Sequence, residues 1–315
     1  MTGRAPAASS AGAEGGAGAE GRAADGTTGG ESRRPPATPI TLVDGRAEAQ
    51  LSVLDRGLQF GDGLFETIAC VGGVPRFLDL HCERLALGCS RLRIDFPDMQ
   101  ALRAEVLALA RDTPRCLIKV IVTRGTATQR GYAAAGNERA RRITMRQAWP
   151  DEDPACAERG VRVCTREFRL GENPALAGLK HCNRLEQILA RADWPGPDLA
   201  EGLLYSHSGR LVSGTMSNVF LVNGSSLMTP RLDLCGVAGV MRKVVLAEAQ
   251  AARVNVGESE LRAADVRSAQ EIFLTNARIG IWPVRELDGR VLEPGPVTRR
   301  LQAALAPLLD GTRHG

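Results

Sequence analysis

Hydrophobic and polar positions follow two different periodicities from residue 38 onward, and the first periodicity predicts strands. Short apolar runs over 40–43, 64–71 and 74–78 are interrupted by Asp44-Gly45 and Gly72-Gly73, dipeptides typical of two-residue hairpin turns. Similar runs predict strands over residues 116–123, 142–149, 161–168, 203–205, 211–212, 219–222, 227–229 and 271–276. Asn223-Gly224 predicts one more hairpin turn.

The second periodicity is helical. Apolar residues recur three and four positions apart, so that they share one face of a helix. This pattern predicts helices over residues 80–93, 98–111, 183–193, 239–253 and 298–309. The mixture of such helices with hairpins predicts an α+β fold.

Composition divides the chain into four parts. Residues 1–36 are almost entirely Ala, Gly, Ser, Thr, Glu, Arg and Pro. Such a segment buries too little apolar surface to offset its ordering entropy, so we expect a disordered tail. An N-terminal unit is predicted over 37–168. The Gly, Asn and Pro residues of 169–176 predict a linker, and a second unit follows over 177–315.

Charge and composition exclude several functional classes. The 315 residues include 40 Lys+Arg and 36 Asp+Glu, a formal net charge of +4, and only 4% aromatic residues, so nucleic-acid binding is not favoured. No apolar run approaches the roughly 20 residues needed to cross a bilayer, and no secretory signal is visible. The eight cysteines form no C-x-x-C pair, which favours a reducing compartment, and we expect a cytoplasmic protein.

Lysine is rare in this chain. Lys119, Lys180 and Lys243 are the only lysines, and arginine supplies the other 37 cationic residues. Arginine does not form an imine and stays protonated near neutral pH, whereas a partly desolvated lysine forms imines and loses its proton. Any chemistry through an imine therefore uses one of these three residues.

Each lysine also has an ordinary interpretation. Lys180 follows the linker and precedes a helix, so it either projects into a cleft between the two units or lies on the surface. Lys119 shares a strand face with Leu117 and Ile121, or reaches into a cleft to meet an anion. Lys243 follows a glycine-rich turn, where a solvated helix residue is the more usual case.

Three segments have features of anion sites. Gly236 and Gly239 lie where a strand joins a helix, and the free N–H groups of a helix N-terminus suit a phosphate, although many such turns are glycine-rich for geometry alone. Arg84 lies on a predicted helix, where a solvated face is the ordinary explanation. Arg130 lies on a glycine-flanked loop, either as a fork for a carboxylate or as an exposed charge. The histidines and carboxylates lack metal-ligand spacing, so we predict no metal site.

Several collinear motifs resemble one enzyme family. The segment 55–67 (DRGLQFGDGLFET) resembles the N-terminal signature of fold-type IV pyridoxal-phosphate enzymes, which include branched-chain aminotransferases, D-amino-acid aminotransferases and 4-amino-4-deoxychorismate lyases. Segments 124–132 (RGTATQRGY), 168–174 (FRLGENP) and 178–187 (GLKHCNRLEQ) are most similar to the lyases. The resemblance spans residues 40–310. It implies a two-domain α+β fold, D-amino-acid aminotransferase-like, with a smaller N-terminal α/β domain and a larger C-terminal α/β pseudo-barrel domain.

Position by position, the resemblance implies roles for individual residues. Lys180 matches the catalytic lysine that bonds to pyridoxal 5'-phosphate. The positions that contact the cofactor are matched by Arg84, Lys180, Ser213, Asn218, Val240, Met241, Asn276 and Ala277. The positions that contact the substrate are matched by Lys119, Arg130, Phe65 and Tyr132, of which Lys119 and Arg130 are associated with carboxylates in the lyases. In related enzymes the loop with the Arg130 position comes from the neighbouring subunit, so the resemblance implies a homodimer with shared active sites.

One position departs from the family pattern. The family usually places a Glu shortly before the Asn that matches Asn218, where it pairs with the pyridine nitrogen, and Ser213 occupies that place here. A hydroxyl does not supply the charge that keeps this nitrogen protonated. The resemblance therefore implies a lyase that forms p-aminobenzoate and pyruvate for folate synthesis. An aminotransferase of the same fold acting on D- or branched-chain amino acids, and a non-catalytic protein that keeps the fold, are the alternatives.

Overall fold

The structure, a computed structural model, describes residues 40–96, 98–151 and 153–310, and the tail predicted over 1–36 lies outside these ranges. Two sheets organise the described chain. The first is antiparallel, with the strand order β1-β5-β4-β2-β3. Its strands are β1 (Thr41–Val43), β2 (Gly63–Val71), β3 (Val74–Pro75), β4 (Arg115–Thr123) and β5 (Arg141–Ala148).

The second sheet is larger and mixed. Its strands are β6 (Val161–Leu170), β7 (Leu199–Ser206), β8 (Leu211–Gly214), β9 (Asn218–Asn223), β10 (Ser226–Pro230), β11 (Asn255–Ser259), β12 (Glu271–Asn276), β13 (Gly280–Leu287) and β14 (Arg290–Val291). They follow the order β11-β10-β9-β12-β13-β6-β7-β8, and β14 pairs with β13. Strand β6 runs parallel to both β7 and β13, and β10 runs parallel to β11.

Helices cover these sheets and build separate cores. They are α1 (Arg56–Phe60), α2 (Leu78–Leu92), α3 (Met99–Ala110), α4 (Cys156–Arg159), α5 (Leu185–Ala192), α6 (Val240–Ala251), α7 (Ala263–Ser268) and α8 (Pro296–Leu309). Leu85 of α2 and Val106 of α3 pack with Ile68 and Ile118 on one face of the first sheet. Because side chains alternate along a strand, Phe65 and Lys119 lie on the opposite face. None of the helices in the described ranges has the length and apolar character to cross a membrane.

The α+β prediction is confirmed, and the local hairpin predictions differ from the structure in detail. Gly72 and Gly73 form the predicted turn, but the strand after it is only Val74–Pro75, because the chain turns into α2 after Arg76, whose amide donates to the Ala69 carbonyl oxygen at 2.8 Å. The turn at Asp44-Gly45 also forms, with a single bridge between Val43 and Arg46. Strand β1 takes β5 as its main partner.

Strand β6 changes the predicted division of the chain. The sequence predicts the segment 161–168 in the N-terminal unit, whereas β6 lies inside the second sheet between β13 and β7. The predicted linker 169–176 also begins within β6, which ends at Leu170. We therefore propose that the boundary between the two units lies between β5 and β6. The short elements α1, α4 and α7 and the strands β11, β13 and β14 were not predicted.

Candidate active site

Lys180 lies in an extended segment that pairs with β2. The amide of Phe65 donates to the Lys180 carbonyl oxygen at 2.9 Å, and the amide of Cys182 donates to the Gly63 carbonyl oxygen at 2.9 Å. This register brings the side chains of Lys180 and Phe65 together, with the lysine Nζ 4.3 Å from the ring centroid. No hydrogen bond or ion pair to this Nζ occurs within the described ranges. The amine is therefore free for chemistry.

The surroundings of Lys180 favour its neutral form. Burial, and after it the Arg84 guanidinium, lowers the pKa of Lys180 to about 8, while Glu66 acts in the opposite direction. The charges of Arg184 and Lys119 lower the same pKa further. A lysine with this pKa is partly deprotonated near neutral pH, which suits a nucleophile or a general base.

Lys119 lies beside the same aromatic ring. Its Nζ is 5.6 Å from the Phe65 ring centroid, and in the antiparallel register it stands opposite Thr67 and Met145. No described carboxylate forms an ion pair with it. The structure therefore brings together Lys180, Lys119 and Phe65, with two cationic side chains on one ring.

Arg84 is held by a buried carboxylate. Its Nε donates to Glu66 Oε1 at 2.8 Å, and its Nη2 donates to Glu66 Oε2. His81 Nδ1 lies 2.6 Å from the same Oε2. Burial alone would raise the pKa of Glu66, but Arg84 and His81 outweigh it and bring the pKa to about 2. The remaining nitrogen of the guanidinium, Nη1, donates to the Ala238 carbonyl oxygen at 3.0 Å, in the turn before α6.

The start of α6 presents free backbone donors next to Arg84. Gly239 is the N-cap, and it supplies no side-chain cap. The first helix amide with a backbone acceptor is Lys243, which donates to Gly239 O at 3.1 Å, so the amides of Val240 and Met241 have no acceptor within the described part. These amides, the helix dipole and Arg84 form an anion cradle. The side chain of Lys243 is exposed and pairs with Glu83 at 2.9 Å.

The turn before α6 connects the cradle with Lys180. Gly178 donates to Gly236 O at 2.9 Å, and Ala238 donates to Gly178 O at 3.0 Å. Asn218 Nδ2 donates to Val237 O at 2.9 Å from the start of β9. A Cβ atom added to Gly239 would lie 2.0 Å from Asn218 Oδ1, so this turn closes tightly because residue 239 is glycine.

Ser213 and Asn276 lie on two strands, β8 and β12, that are not adjacent in the second sheet. Ser213 lies buried on β8, and its Oγ donates to Gly214 O at 2.8 Å. Asn276 ends β12, donates through Nδ2 to Met216 O at 3.3 Å, and accepts from the amides of Arg278 and Ile279. Ala277 follows directly in the β12–β13 turn.

Arg130 and Tyr132 lie on the β4–β5 loop, and the single chain does not bring them to the lysines. Arg130 is exposed. Tyr132 is 86% exposed, and its ring contacts Phe60 at 5.5 Å between centroids. Within the described residues, no hydrogen bond, ion pair or ring contact joins either side chain to Lys180.

Sequence reasoning missed the residues that support the site. Glu66 holds Arg84, and its signal was a carboxylate at a buried position between Leu64 and Ile68 in an apolar strand. Glu201 is also buried, and it accepts hydrogen bonds from the 215–217 turn, including Thr215 N at 2.9 Å and Ser217 Oγ at 2.9 Å. A buried carboxylate requires hydrogen-bond donors. A Glu within an apolar run of the sequence therefore indicates that a donor group packs against it in the fold.

The two sheets meet at a desolvated lysine, and an arginine and a helix N-terminus form an anion cradle beside it. This arrangement, together with the comparisons, defines the class of the molecule. It is a fold-type IV enzyme. The chain belongs to the amino-transferase class IV family, whose model matches residues 63–287. It is 33% identical over 267 residues to aminodeoxychorismate lyase of Vibrio harveyi, covering 84% of this chain and 98% of the relative.

Two further comparisons describe its neighbourhood. The crystal structure of 4-amino-4-deoxychorismate lyase from Pseudomonas aeruginosa has a TM-score of 0.83 and 46% identity, and the match covers 86% of this chain and 100% of that chain. A putative branched-chain-amino-acid aminotransferase of Methanocaldococcus jannaschii is 31% identical over 267 residues, covering 81% of this chain and 90% of the relative. The family therefore includes relatives with both lyase and aminotransferase names.

The residues present fit pyridoxal phosphate, the cofactor of this class. The phosphate requires cationic and N–H donors, which Arg84 and the free amides of Val240 and Met241 provide. The aldehyde requires a neutral amine, and the pKa of Lys180, lowered to about 8, makes part of this amine neutral near neutral pH.

Proposed function

We propose that this chain is a pyridoxal-phosphate-dependent lyase that converts 4-amino-4-deoxychorismate into p-aminobenzoate and pyruvate. The observation that carries this proposal is Lys180, a desolvated amine that has no ion-pair partner among the described residues and lies next to an anion cradle. The 46% identity to a lyase of this name over nearly the whole described chain supports the choice of substrate.

Residues from the N-terminal unit and from the second unit would hold the cofactor. Arg84 and the backbone amides of Val240 and Met241 would bind the phosphate, with Asn276 and Ala277 on its other side. Ser213 and Asn218 would lie at the ring. When bound, the cofactor supplies an electron-accepting ring that stabilises negative charge beside the substrate amine.

Lys180 would act as the general base. Its neutral Nζ would remove the proton from C4 of the substrate, and the pKa of about 8 lets the amine accept and later release that proton. The C3–O bond then breaks, and enolpyruvate leaves with the electron pair and becomes pyruvate by taking up a proton at its methylene carbon, while Lys180 releases the proton that it took from C4. The remaining six-membered ring becomes aromatic, which favours elimination.

The substrate is a dianion, and the site offers cations to match it. Lys119 has no carboxylate partner in the described structure and lies on the Phe65 ring, so it would bind one carboxylate while Phe65 packs against the substrate ring. Arg130 would bind the second carboxylate, with Tyr132 beside it.

Arg130 and Tyr132 would reach the site of a second copy, so we propose a homodimer with shared active sites. The exposed position of both residues and their separation from Lys180 in one chain support this arrangement. Exposed apolar side chains near the site support it as well: Leu185 is 72% exposed on α5, and Ile188 and Leu189 continue the same stripe.

Mixing two inactive variants tests the shared site. Lys180→Ala and Arg130→Ala each remove one contribution to every site of their own homodimer. If the loop acts in trans, a mixed dimer contains one site with both residues intact. We expect the mixture, after subunit exchange, to have activity that neither variant has alone. Activity no greater than the sum of the two separate variants would contradict shared sites.

We propose that the enzyme is cytoplasmic. Cys70, Cys82, Cys89 and Cys116 are buried beside the first sheet and form no disulfide within the described residues. Free cysteines in such number are typical of a reducing compartment. Fractionation of cells that express the chain tests this location.

Direct turnover tests the function. Purified holoenzyme receives enzymatically made 4-amino-4-deoxychorismate, and the fluorescence of p-aminobenzoate is followed. We expect product with the wild-type enzyme, none with Lys180→Ala, and wild-type rates with Lys243→Ala, a matched control because Lys243 is an exposed lysine. Absence of p-aminobenzoate, or equal rates in wild type and Lys180→Ala, would overturn the proposal.

A further inference from the structure

The loop of residues 124–140 between β4 and β5 is anchored by its own contacts at both of its ends. At the base, Gly125 has φ +102°, and a Cβ atom there would lie 1.9 Å from the Arg139 carbonyl oxygen, so the two sides of the loop touch. In the C-terminal part of the loop, Glu138 accepts from the amides of Ala135 at 2.7 Å and Gly136 at 2.9 Å. Within the described residues, no hydrogen bond joins the middle of the loop, residues 129–133, to the rest of the loop.

Arg56 supplies that missing contact from outside the loop. Its guanidinium donates to three consecutive backbone carbonyl oxygens: Nη1 to Gly131 O at 3.3 Å, Nη2 to Tyr132 O at 2.7 Å, and Nη1 to Ala133 O at 3.5 Å. The side chain of Arg56 is 5% exposed. Exposed carbonyl groups of a loop are normally bound by water, so three of them on one buried side chain form a specific clamp.

The clamp is itself held in place. Asp62 Oδ2 accepts from Arg56 Nε at 2.8 Å, which fixes the plane of the guanidinium. The same plane lies 5.0 Å from the Phe60 ring centroid, and that ring contacts Tyr132 edge to face. The backbone of Arg56 also donates to Gly125 O at 2.8 Å at the loop base. One residue therefore contacts both the base and the middle of the loop.

We propose that Arg56 is a positioning residue that fixes the middle of the 124–140 loop and thereby sets the place of Arg130 and Tyr132. The inference rests on the proposed function for the role of these two residues with substrate. Arg130 directly precedes the three clamped carbonyl groups. A guanidinium donates to three acceptors at once from one rigid plane. A lysine at position 56 keeps the positive charge beside Asp62, but its ammonium does not reach the three carbonyl groups.

The test separates the clamp from the chemistry. In Arg56→Lys we expect faster amide hydrogen exchange at residues 131–133 and faster tryptic cleavage after Arg130, both measured without substrate. With substrate we expect KM to rise about tenfold, while kcat and the cofactor Kd stay within about twofold, because only substrate positioning is lost. Asp62→Asn is the second variant, and it should loosen the same amides if Arg56→Lys does not fold.

Arg290→Lys is the matched control. Arg290 also donates to three backbone carbonyl oxygens, of Val266, Arg267 and Ala269, but these lie on α7 and its end. We expect no change in loop exchange or KM from this variant. Unchanged exchange at 131–133 in both Arg56→Lys and Asp62→Asn overturns the clamp, and so does loosening with unaltered KM. Failure of the wild-type enzyme to form p-aminobenzoate concerns the proposed function alone, since the exchange measurement needs no turnover.

Discussion

Lys180 Nζ lies 4.3 Å from the ring centroid of Phe65, and Lys119 Nζ lies 5.6 Å from the same centroid. The two amines therefore share one aromatic surface. Burial and then the Arg84 charge lower the pKa of Lys180 to about 8, and the charge of Lys119 adds a smaller effect in the same direction. Within the described residues neither amine has a carboxylate partner, whereas Lys243 pairs with Glu83 at 2.9 Å.

The pKa of Lys180 predicts how loading with cofactor depends on pH. Only the neutral amine attacks an aldehyde, so the rate of pyridoxal phosphate uptake by the apoprotein should reach half of its maximum near pH 8. Stopped-flow absorbance measures this rate. A rate that continues to rise toward pH 10.5, the ordinary lysine value, would contradict the low pKa.

The same pKa has a consequence for stability. Because the pKa of Lys180 is lower in the folded protein than in the unfolded chain, the unfolded chain binds more protons between pH 8 and pH 10.5. The contribution of Lys180 to the free energy of unfolding therefore rises with pH across that window. Urea unfolding of the wild-type apoprotein and of Lys180→Met, at both pH values, should show a gain in the wild type that the variant lacks.

Glu66→Gln should weaken cofactor binding through Arg84. The variant loses the charge that orients the guanidinium, and we expect the Kd of pyridoxal phosphate to rise about tenfold, or about 1.4 kcal/mol. Glu105→Gln is the matched control, because Glu105 is also buried and accepts from Arg142 Nε at 2.9 Å. Both variants should lose about 3 kcal/mol of stability. Equal cofactor affinity in the two folded variants would argue against the role of Glu66.

Gly239→Ala should damage the anion cradle by steric contact. The added Cβ would lie 2.0 Å from Asn218 Oδ1, so the turn before α6 must open or Asn218 must leave Val237. We expect weaker phosphate binding by the apoprotein, measured by calorimetry with pyridoxal phosphate. Gly196→Ala is the control, since no described atom lies within 4 Å of its added Cβ. Wild-type affinity in Gly239→Ala would show that the turn tolerates a side chain.

Ser213 should limit transamination. Its hydroxyl donates to Gly214 O and brings no negative charge to the ring site. Wild-type holoenzyme incubated with D-alanine or L-leucine should therefore accumulate less pyridoxamine phosphate than Ser213→Glu, as measured by chromatography of the released cofactor. If the wild type accumulates as much as the variant, the aminotransferase alternative gains support.

Local patterns predicted most long elements, because an amphipathic helix or a buried strand shows its own periodicity. The helix expected over 80–93 is α2, at Leu78–Leu92, and the strand expected over 116–123 is β4, at Arg115–Thr123. Strand pairing was not predictable in this way. Strand β6 joins β13, more than a hundred residues further along the chain, and nothing within 161–168 indicates that partner.

The site was predictable in part. The rarity of lysine and the motif around Lys180 indicated the amine, and the structure brings it to Lys119 and Phe65. The hydrogen bonds between Glu66 and Arg84 could not be predicted from sequence spacing, because the two residues are 18 positions apart on different elements. The roles of Arg130 and Tyr132 stay predictions, since both lie exposed on a loop.

Borohydride labelling tests the central assignment most directly. Holoenzyme is reduced so that the bond between the cofactor and its lysine becomes permanent, then digested and sequenced by mass spectrometry. The account predicts a pyridoxyl group on Lys180, with Lys119 and Lys243 unmodified. A label on either of the other two lysines, or no label on a protein that retains the cofactor, would contradict it.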